Sequence, residues 1–582
     1  MKKNSCVKET LFIFLLIPIV FSCIDPPIRA KVSENPRTFC NPVNLNYRFM
    51  KIKEGAGIRE AADPVIIEYQ DKYYLFASKS SGYWYTEDFQ NWTHVFIPDS
   101  VLPIEDYAPG NFVHNDYIYY VGSTHGKGML YRSNDPDAGK WEKVKEIWSF
   151  WDPAFYVEGD NLYMYHGCSP TDPILVQVLD LNTLEEKTER IECFNSNKDM
   201  YGWERTGETN ELSRRPYIEG AWMTAHNGEY YLQYAAPGTE WKSYADGVYV
   251  SESPTGPFRY MENSPVSYKP TGFIGGAGHG CLFTVGKGNY WKAATNSISV
   301  RHMFERRISL FPAGIDSDGY MFTNTYLGDY PMYLPSHKGN DCNNRPDWML
   351  LSYNKPVAVS SERGGFPAGN AVDENVRTSW VASTNNIGEC LELDLVVPSF
   401  IHAIQVNFDE EGASLSGYSS EVYQSYVISA SHDGKKWYPV VDKETERTDT
   451  PHDYIEFEEA FKARYIRIEN KGYTVAPYFS LRDFRIFGKG TGKKPGEVID
   501  CIIYRDKDDP CKVTLTWKET SGSEGYIVRY GISKDKLYNN FQVFGDTKLD
   551  INSLNSGITY YFTVDSYNEN GITPGQKIME CE

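Results

Sequence analysis

From residue 51 to 350 the chain is written in short runs of alternating apolar and polar positions. Gly, Asn, Asp and Pro separate the runs, and no stretch holds an apolar period of 3.6 over ordinary helix length. Leu212–Gly238 shows the pattern well: an aromatic run from Glu219, a turn at Asn227-Gly228, then Tyr230-Tyr231-Leu232-Gln233-Tyr234. Asn-Gly between two such runs predicts a hairpin. Related units open at Asp63-Pro64, Ala108-Pro109, Asp152-Pro153 and His279-Gly280. Each reaches an aromatic strand roughly ten positions later, and the units recur every ~45 to 70 residues, as blades do. The expected fold is all-β: a five-bladed β-propeller over 51–350, followed by two β-sandwich domains.

The later pattern differs. Over 354–489, Leu391-Glu392-Leu393-Asp394-Leu395 alternates cleanly, and Ala463–Ile468 and Phe484–Gly488 close the unit, which predicts a sandwich. A Gly- and Lys-rich linker precedes a second sandwich over 498–582, in which Tyr560 has the spacing of a corner tyrosine bonding backbone upstream. At the other end, residues 1–23 read as a signal: Lys2, Lys3 and Lys8, a short apolar run, then Ser22-Cys23. The expectation is an exported lipoprotein lipidated at Cys23, in the periplasm or outer membrane of a Gram-negative bacterium. Proline-rich residues 24–50 read as a tether that becomes ordered near Phe39.

Composition narrows the partners. A formal net charge of −20 argues against nucleic acid and against an anionic bilayer, leaving the lipid as the only membrane contact. The 44 Tyr and 13 Trp suit strands and also sugar faces. The cysteines are scattered without a Cys-x-x-Cys pair, which gives no metal-cluster signal. They read as small buried thiols, with room for a disulfide among Cys501, Cys511 and Cys581.

Three of the five unit-leading residues are acidic: Asp63, Asp152 and Glu219. A propeller sends equivalent positions to one axis, so the three converge on a central pocket. Such a set suits glycosidic hydrolysis, in which one carboxyl protonates the leaving oxygen and another activates water. A third carboxylate raises the pKa of the acid by like-charge repulsion. No cofactor is needed for that chemistry. Trp84, in Gly82-Tyr83-Trp84, is a candidate sugar platform.

The motifs Ala62-Asp63-Pro64, Tyr107-Ala108-Pro109, Asp152-Pro153-Ala154-Phe155, Ile218-Glu219-Gly220 and Gly278-His279-Gly280 together resemble glycoside hydrolase family 43. The resemblance implies an inverting hydrolase of plant-type polysaccharide side chains, of the α-L-arabinofuranosidase, β-xylosidase or β-galactosidase type. It implies Asp63 as general base, Glu219 as general acid and Asp152 as the residue that orients and tunes the acid. It further implies His279 at the channel centre, and Arg306 near the substrate or the tuning Asp152. Glu219-Gly220-Ala221 departs from the family's common Glu-Gly-Pro. Residues 354–489 resemble the discoidin, or carbohydrate-binding module family 32, sandwich; this implies a structural calcium at Asp373, Thr378 and Asp483. Residues 498–582 resemble fibronectin type III. The alternative is a non-catalytic surface glycan-binding protein, which a missing carboxylate at any of the three positions would favour.

Overall fold

The computed structural model describes residues 26–98, 100–102, 107–286, 288–336 and 345–582. The signal segment and Cys23 lie outside the described residues. No α-helix occurs among the described residues; three short 3-10 turns are the only helical elements.

Five sheets follow one another. Blade I comprises Ala62–Tyr69, Lys72–Ser78, Gly82–Thr86 and Thr93–Phe96, paired in that order. Blades II and III run over 110–148 and 154–194 with the same order of four strands. Blade IV holds Glu219–His226, Glu229–Ala236, Ala245–Ser251 and Arg259–Tyr260. Its first hairpin turns on Asn227 (φ 50°) and Gly228 (φ 85°), both left-handed, as the Asn-Gly pair predicts. Blade V is built on Tyr290–Ser297, with its inner strand split into Gly275–Gly278 and Leu282–Thr284.

The inner strands share one device. Each begins with a residue of left-handed backbone: Asp63 (φ 55°), Ala108 (φ 44°), Asp152 (φ 55°), Gly220 (φ 61°) and His279 (φ 39°). Non-glycine residues there cost of order 1–3 kcal/mol each and persist only where surroundings hold them. What holds them is an oxygen reaching each N–H from the preceding blade. Asp63 N–H donates to Thr295 Oγ1 (2.8 Å) and Ala108 N–H to Ser78 Oγ (2.7 Å). Asp152 N–H donates to Ser123 Oγ (3.0 Å) and His279 N–H to Asp246 Oδ1 (2.8 Å). Gly220 N–H donates to the Asp152 carboxylate. The Asp63–Thr295 bond joins blade I to blade V and closes the ring.

The sandwich that follows is one continuous strand network. Its long strands Cys390–Phe408 and His452–Tyr473 pair from Cys390↔Glu469 to Asn407↔His452 and enclose an aliphatic core. Met349–Leu350 pairs with Phe487 and Gly488 of this unit. The segment after the signal is more ordered than its prolines suggest. Ile28, Ala30 and Val32 alternate into the sandwich core, and Val32 bridges to Phe457. The tether reading of that stretch missed a period-two pattern only three residues long. The last unit has a three-stranded and a five-stranded sheet, and Asn555 N–H donates to Tyr560 Oη at 3.0 Å, the expected corner. Cys501, Cys511 and Cys581 are free thiols, so no disulfide forms among them.

Both C-terminal units are fused to the propeller. Asn555 Nδ2 donates to Glu262 O (3.1 Å) and Ser264 O (2.7 Å), and Arg205 pairs with Asp509 at 2.6 Å. At the first sandwich, a buried charge network crosses the seam. Arg482 Nη2 lies 2.7 Å from Glu305 Oε1 and 2.8 Å from Asp409 Oδ1; Arg59 binds Asp449 (2.7 Å) and Glu410 (3.1 Å). Arg307 reaches Glu410 (3.4 Å) and His452 Nε2 (2.9 Å). Removing one partner of such a buried set leaves an uncompensated charge. Arg482→Leu is therefore expected to destabilise the chain by about 3–5 kcal/mol in urea unfolding. A loss within experimental error would show that the seam does not depend on this guanidinium.

Candidate active site

The five leading residues ring the propeller axis. A cavity of about 560 Å³ opens over them, with Asp63, Asp152, Glu219, His279 and Arg306 in its lining. Its upper walls are Lys79, Tyr107, His125, Trp151, Thr239 and Phe304. The lead residues themselves, with Pro64, Pro109, Pro153, Ala221 and Gly280, form the floor.

Glu219 departs from the expected register. The position equivalent to Asp63 and Asp152 in blade IV is Gly220, and Glu219 precedes it. The strand pairing shows the same offset: Glu219 pairs with Ala235 as Ala62 pairs with Ser78 and Gly278 with Thr295. Gly220 is required where it stands, since a Cβ there would meet His279 Cγ at 2.5 Å in a left-handed backbone. The carboxylate enters the cavity from one residue earlier, and is more exposed than the other two.

Asp63 is 5% exposed and held as an anion. Burial works against its charge, but the Arg306 guanidinium, His279 and the Ser78 hydroxyl outweigh it and bring its pKa below the ordinary value. Ser78 Oγ–H donates to Oδ2 at 2.5 Å; Arg306 Nη1 lies 3.4 Å and His279 Nδ1 3.3 Å from Oδ1. Arg306 also binds Glu60 (2.6 Å) and Thr239 (3.1 Å). The resemblance implied Arg306 near the substrate or near Asp152; the structure puts it in the cavity lining and beside Asp63 rather than Asp152. Arg306 and Arg307 are neighbours on one strand and point to opposite sides, one to the cavity and one to the sandwich seam.

Asp152 is the counter-case. It is 7% exposed, and burial pushes its pKa up to about 7, with Glu219 and Asp63 adding to the rise against the pull of His279. An oxygen of Asp152 lies within 4.8 Å of one on Glu219. His279 Nδ1 is 4.0 Å from Asp152 Oδ2. Burial opposes the imidazolium, yet Asp63, Asp152 and Glu219 together raise the His279 pKa. The cavity floor thus alternates anion, cation and proton-holding carboxyl within a few ångströms.

Two contacts on Glu219 were not foreseen. Tyr244 Oη–H donates to Oε1 at 2.5 Å, and Cys168 Sγ–H to Oε2 at 2.9 Å. Nothing local marks Tyr244. Cys168 has no repeat signal of its own: the place that Ser78, Ser123, Ala235 and Thr295 occupy falls on Gly167 in blade III, and Cys168 follows it. Trp84, offered as a sugar platform, is not in the cavity. It is wholly buried in the core between blades I and V, with Nε1–H donating to Asn46 Oδ1 at 2.7 Å. Both faces of this strand are covered, since Tyr83 and Trp84 are both wholly buried in two different cores.

In the sandwich, Thr378 Oγ1–H donates to Asp373 at 2.7 Å and Asp373 accepts the Asn375 N–H at 3.0 Å. Asp483 Oδ2 accepts the Glu374 N–H at 2.9 Å, while its Oδ1 is buried without a partner.

Comparison with known proteins adds the family. Residues 58–321 match the profile described as Glycosyl hydrolases family 43, and residues 356–483 match the F5/8 type C domain. No curated protein matches the chain. Among solved structures, an endo-1,4-beta-xylanase from Bacteroides thetaiotaomicron is 22% identical, with 48% of this chain and 95% of that one covered (TM-score 0.39). Bacteroides ovatus Xyloglucan PUL GH43B is 14% identical, with 94% and 91% covered (TM-score 0.41). A Cellvibrio cellulosa alpha-L-arabinanase complexed with arabinohexaose is 16% identical, with 48% and 99% covered (TM-score 0.37). The chain therefore carries a glycosyl hydrolases family 43 domain over 58–321 and an F5/8 type C domain over 356–483, and is a glycosidase.

Proposed function

We propose that this glycosidase inverts configuration at O-glycosidic bonds of plant-type polysaccharide side chains, with Asp63 as general base and Glu219 as general acid. One observation carries the reading: a single cavity holds three carboxyl groups, of which Asp63 is kept ionised and Asp152, beside Glu219, is pushed up to about 7. Asp63, charged beside Arg306 and His279, is suited to take a proton from water. Asp152, with an oxygen within 4.8 Å of one on Glu219, is pushed up to about 7 by burial and by that neighbouring carboxylate. Glu219 is the more exposed of the two and delivers a proton to the leaving oxygen. Asp152, bonded to the Gly220 N–H, fixes the backbone next to the acid and repels its charge. Tyr244 and Cys168 each donate to one oxygen of Glu219 and so fix the plane of its carboxyl. The sugar taken is a side-chain residue such as α-L-arabinofuranose, β-D-xylose or β-D-galactose.

The other domains serve that site. The F5/8 type C domain braces the strand that bears Arg306 through its neighbour Arg307. A structural calcium fits Asp373, Thr378 and Asp483. Burial pushes Asp373 up to about 6 and Asp483 well above the carboxylate range, and Asp483 Oδ1 lacks a partner, which a hard cation would supply. Residues 498–582, with their corner Tyr560, act as a fibronectin type III-like spacer. Export with lipid at Cys23 completes the reading, and polysaccharide is the partner.

Two tests follow from this geometry. On nitrophenyl α-L-arabinofuranoside, β-D-xyloside and β-D-galactoside, at least one is hydrolysed, and Asp63→Asn and Glu219→Gln each lose roughly 10²–10⁴ in kcat/KM. Wild-type rates in both variants would sink the assignment. The second test is pH. The Asp152 proton is present below about 7 and lost above it, so kcat/KM falls as pH rises through about 7. Asp63, below its ordinary 3.8, stays ionised throughout that range. Asp152→Asn removes the carboxyl that titrates there and with it the limb at about 7; an unmoved limb would remove Asp152 from the tuning role.

A further inference from the structure

Cys168 lies one residue past the repeat position that Ser78, Ser123 and Thr295 occupy, which in blade III is Gly167 and carries no side chain. In blades I, II and V the equivalent Ser78, Ser123 and Thr295 accept the N–H of the next leading residue. In blade III that duty passes to Asp152, which takes the Gly220 N–H. The thiol of the following residue, Cys168, turns into the cavity against Glu219.

The result is a mixed ligand set. The Cys168 sulfur and one oxygen each of Asp152 and Glu219 all lie within 4.8 Å of one another, the only such group of three among the described residues. Asp152, nine-tenths buried, lines the cavity and takes no side-chain hydrogen bond. We propose that Asp152, Cys168 and Glu219 bind a thiophilic divalent cation, Zn²⁺ being the best fit, and that this cation switches hydrolysis off.

Ligand chemistry selects the ion. Calcium and magnesium take oxygen ligands in sets of six or more, whereas zinc takes four and accepts thiolate beside carboxylate. Three protein ligands with the fourth position open to the cavity is a pattern zinc adopts with water. Cys168 and Glu219 already touch at 2.9 Å. Asp152 must swing inward by about an ångström to reach a Zn–O distance of ~2.0–2.2 Å. The charge balances: the thiol and the carboxyl pair each release one proton to solvent as one dication enters, so the local charge is unchanged. Glu219 then has no proton to give. The inhibition rests on Glu219 as proton donor; the binding of the cation does not.

The test is Co²⁺ titration of the full-length chain, read by the thiolate-to-cobalt charge-transfer band, beside Zn²⁺ inhibition of aryl-glycoside hydrolysis. One Co²⁺ per chain with that band is expected, lost in Cys168→Ser. Zn²⁺ is expected to inhibit competitively, with EDTA restoring activity and at least tenfold weaker potency in Cys168→Ser. If that variant fails to fold, Glu219→Gln replaces it in the titration and is expected to bind Co²⁺ at least tenfold more weakly. No band, a band that persists in Cys168→Ser, or unchanged Co²⁺ affinity in Glu219→Gln overturns the site. Equal Zn²⁺ potency in wild type and Cys168→Ser overturns the switch. Metal-free wild-type hydrolysis, run in parallel, separates failure of this site from failure of the hydrolytic reading.

Discussion

Everything in the catalytic region depends on one repeated hydrogen bond, from the N–H of each left-handed leading residue to an oxygen of the blade before it. The bond does two jobs. It offsets the cost of the left-handed backbone, and it fixes the angle at which the leading side chain meets the axis. Because the five bonds form a ring, no leading residue can shift without loosening its neighbours. In one place the acceptor is itself a leading side chain: Asp152 receives the Gly220 N–H. Structure and catalysis meet there, since the group that tunes the acid is also a link of the ring.

Burying several charges on one axis imposes a second constraint. Each must be matched nearby, or it changes protonation state. Asp63 is matched by Arg306 and His279 and stays charged. Asp152 has only His279 at 4.0 Å and holds its proton. The two carboxylates therefore differ through their partners rather than through burial, which is nearly equal. Arg306 depends on a strand whose opposite side, through Arg307, is locked to the F5/8 type C domain. The sandwich is in this sense part of the active-site wall, and its charge network reaches to within one residue of the group that keeps the base ionised.

Much of this was legible in the chain. The aromatic strands, the Asn-Gly hairpin and the spacing of leading residues give the five blades, and Asp63, Asp152 and His279 fall where equivalence puts them. The errors have physical sources. Glu219 was aligned by its charge, but the ring needs Gly220 at the left-handed position, so the carboxylate sits one residue early. Trp84 looked like a platform because the sequence does not show that a blade strand is covered on both faces, by the blades on either side. Tyr244 lies 25 residues from the acid it binds, a contact that only the ring creates. Cys168 falls one residue past the place where serine and threonine recur, so an alignment of the strand ends reaches Gly167 instead.

The central claim is a division of labour between Glu219 and Asp63, and leaving-group dependence tests it most directly. An acid matters more the poorer the leaving group; a base acts on water and is indifferent to it. For a series from dinitrophenyl to phenyl glycosides of the accepted sugar, Glu219→Ala is expected to lose little on the dinitrophenyl member and roughly 10²–10⁴ on the phenyl member. Asp63→Asn is expected to lose a similar factor across the whole series. The same leaving-group dependence in both variants would contradict the account.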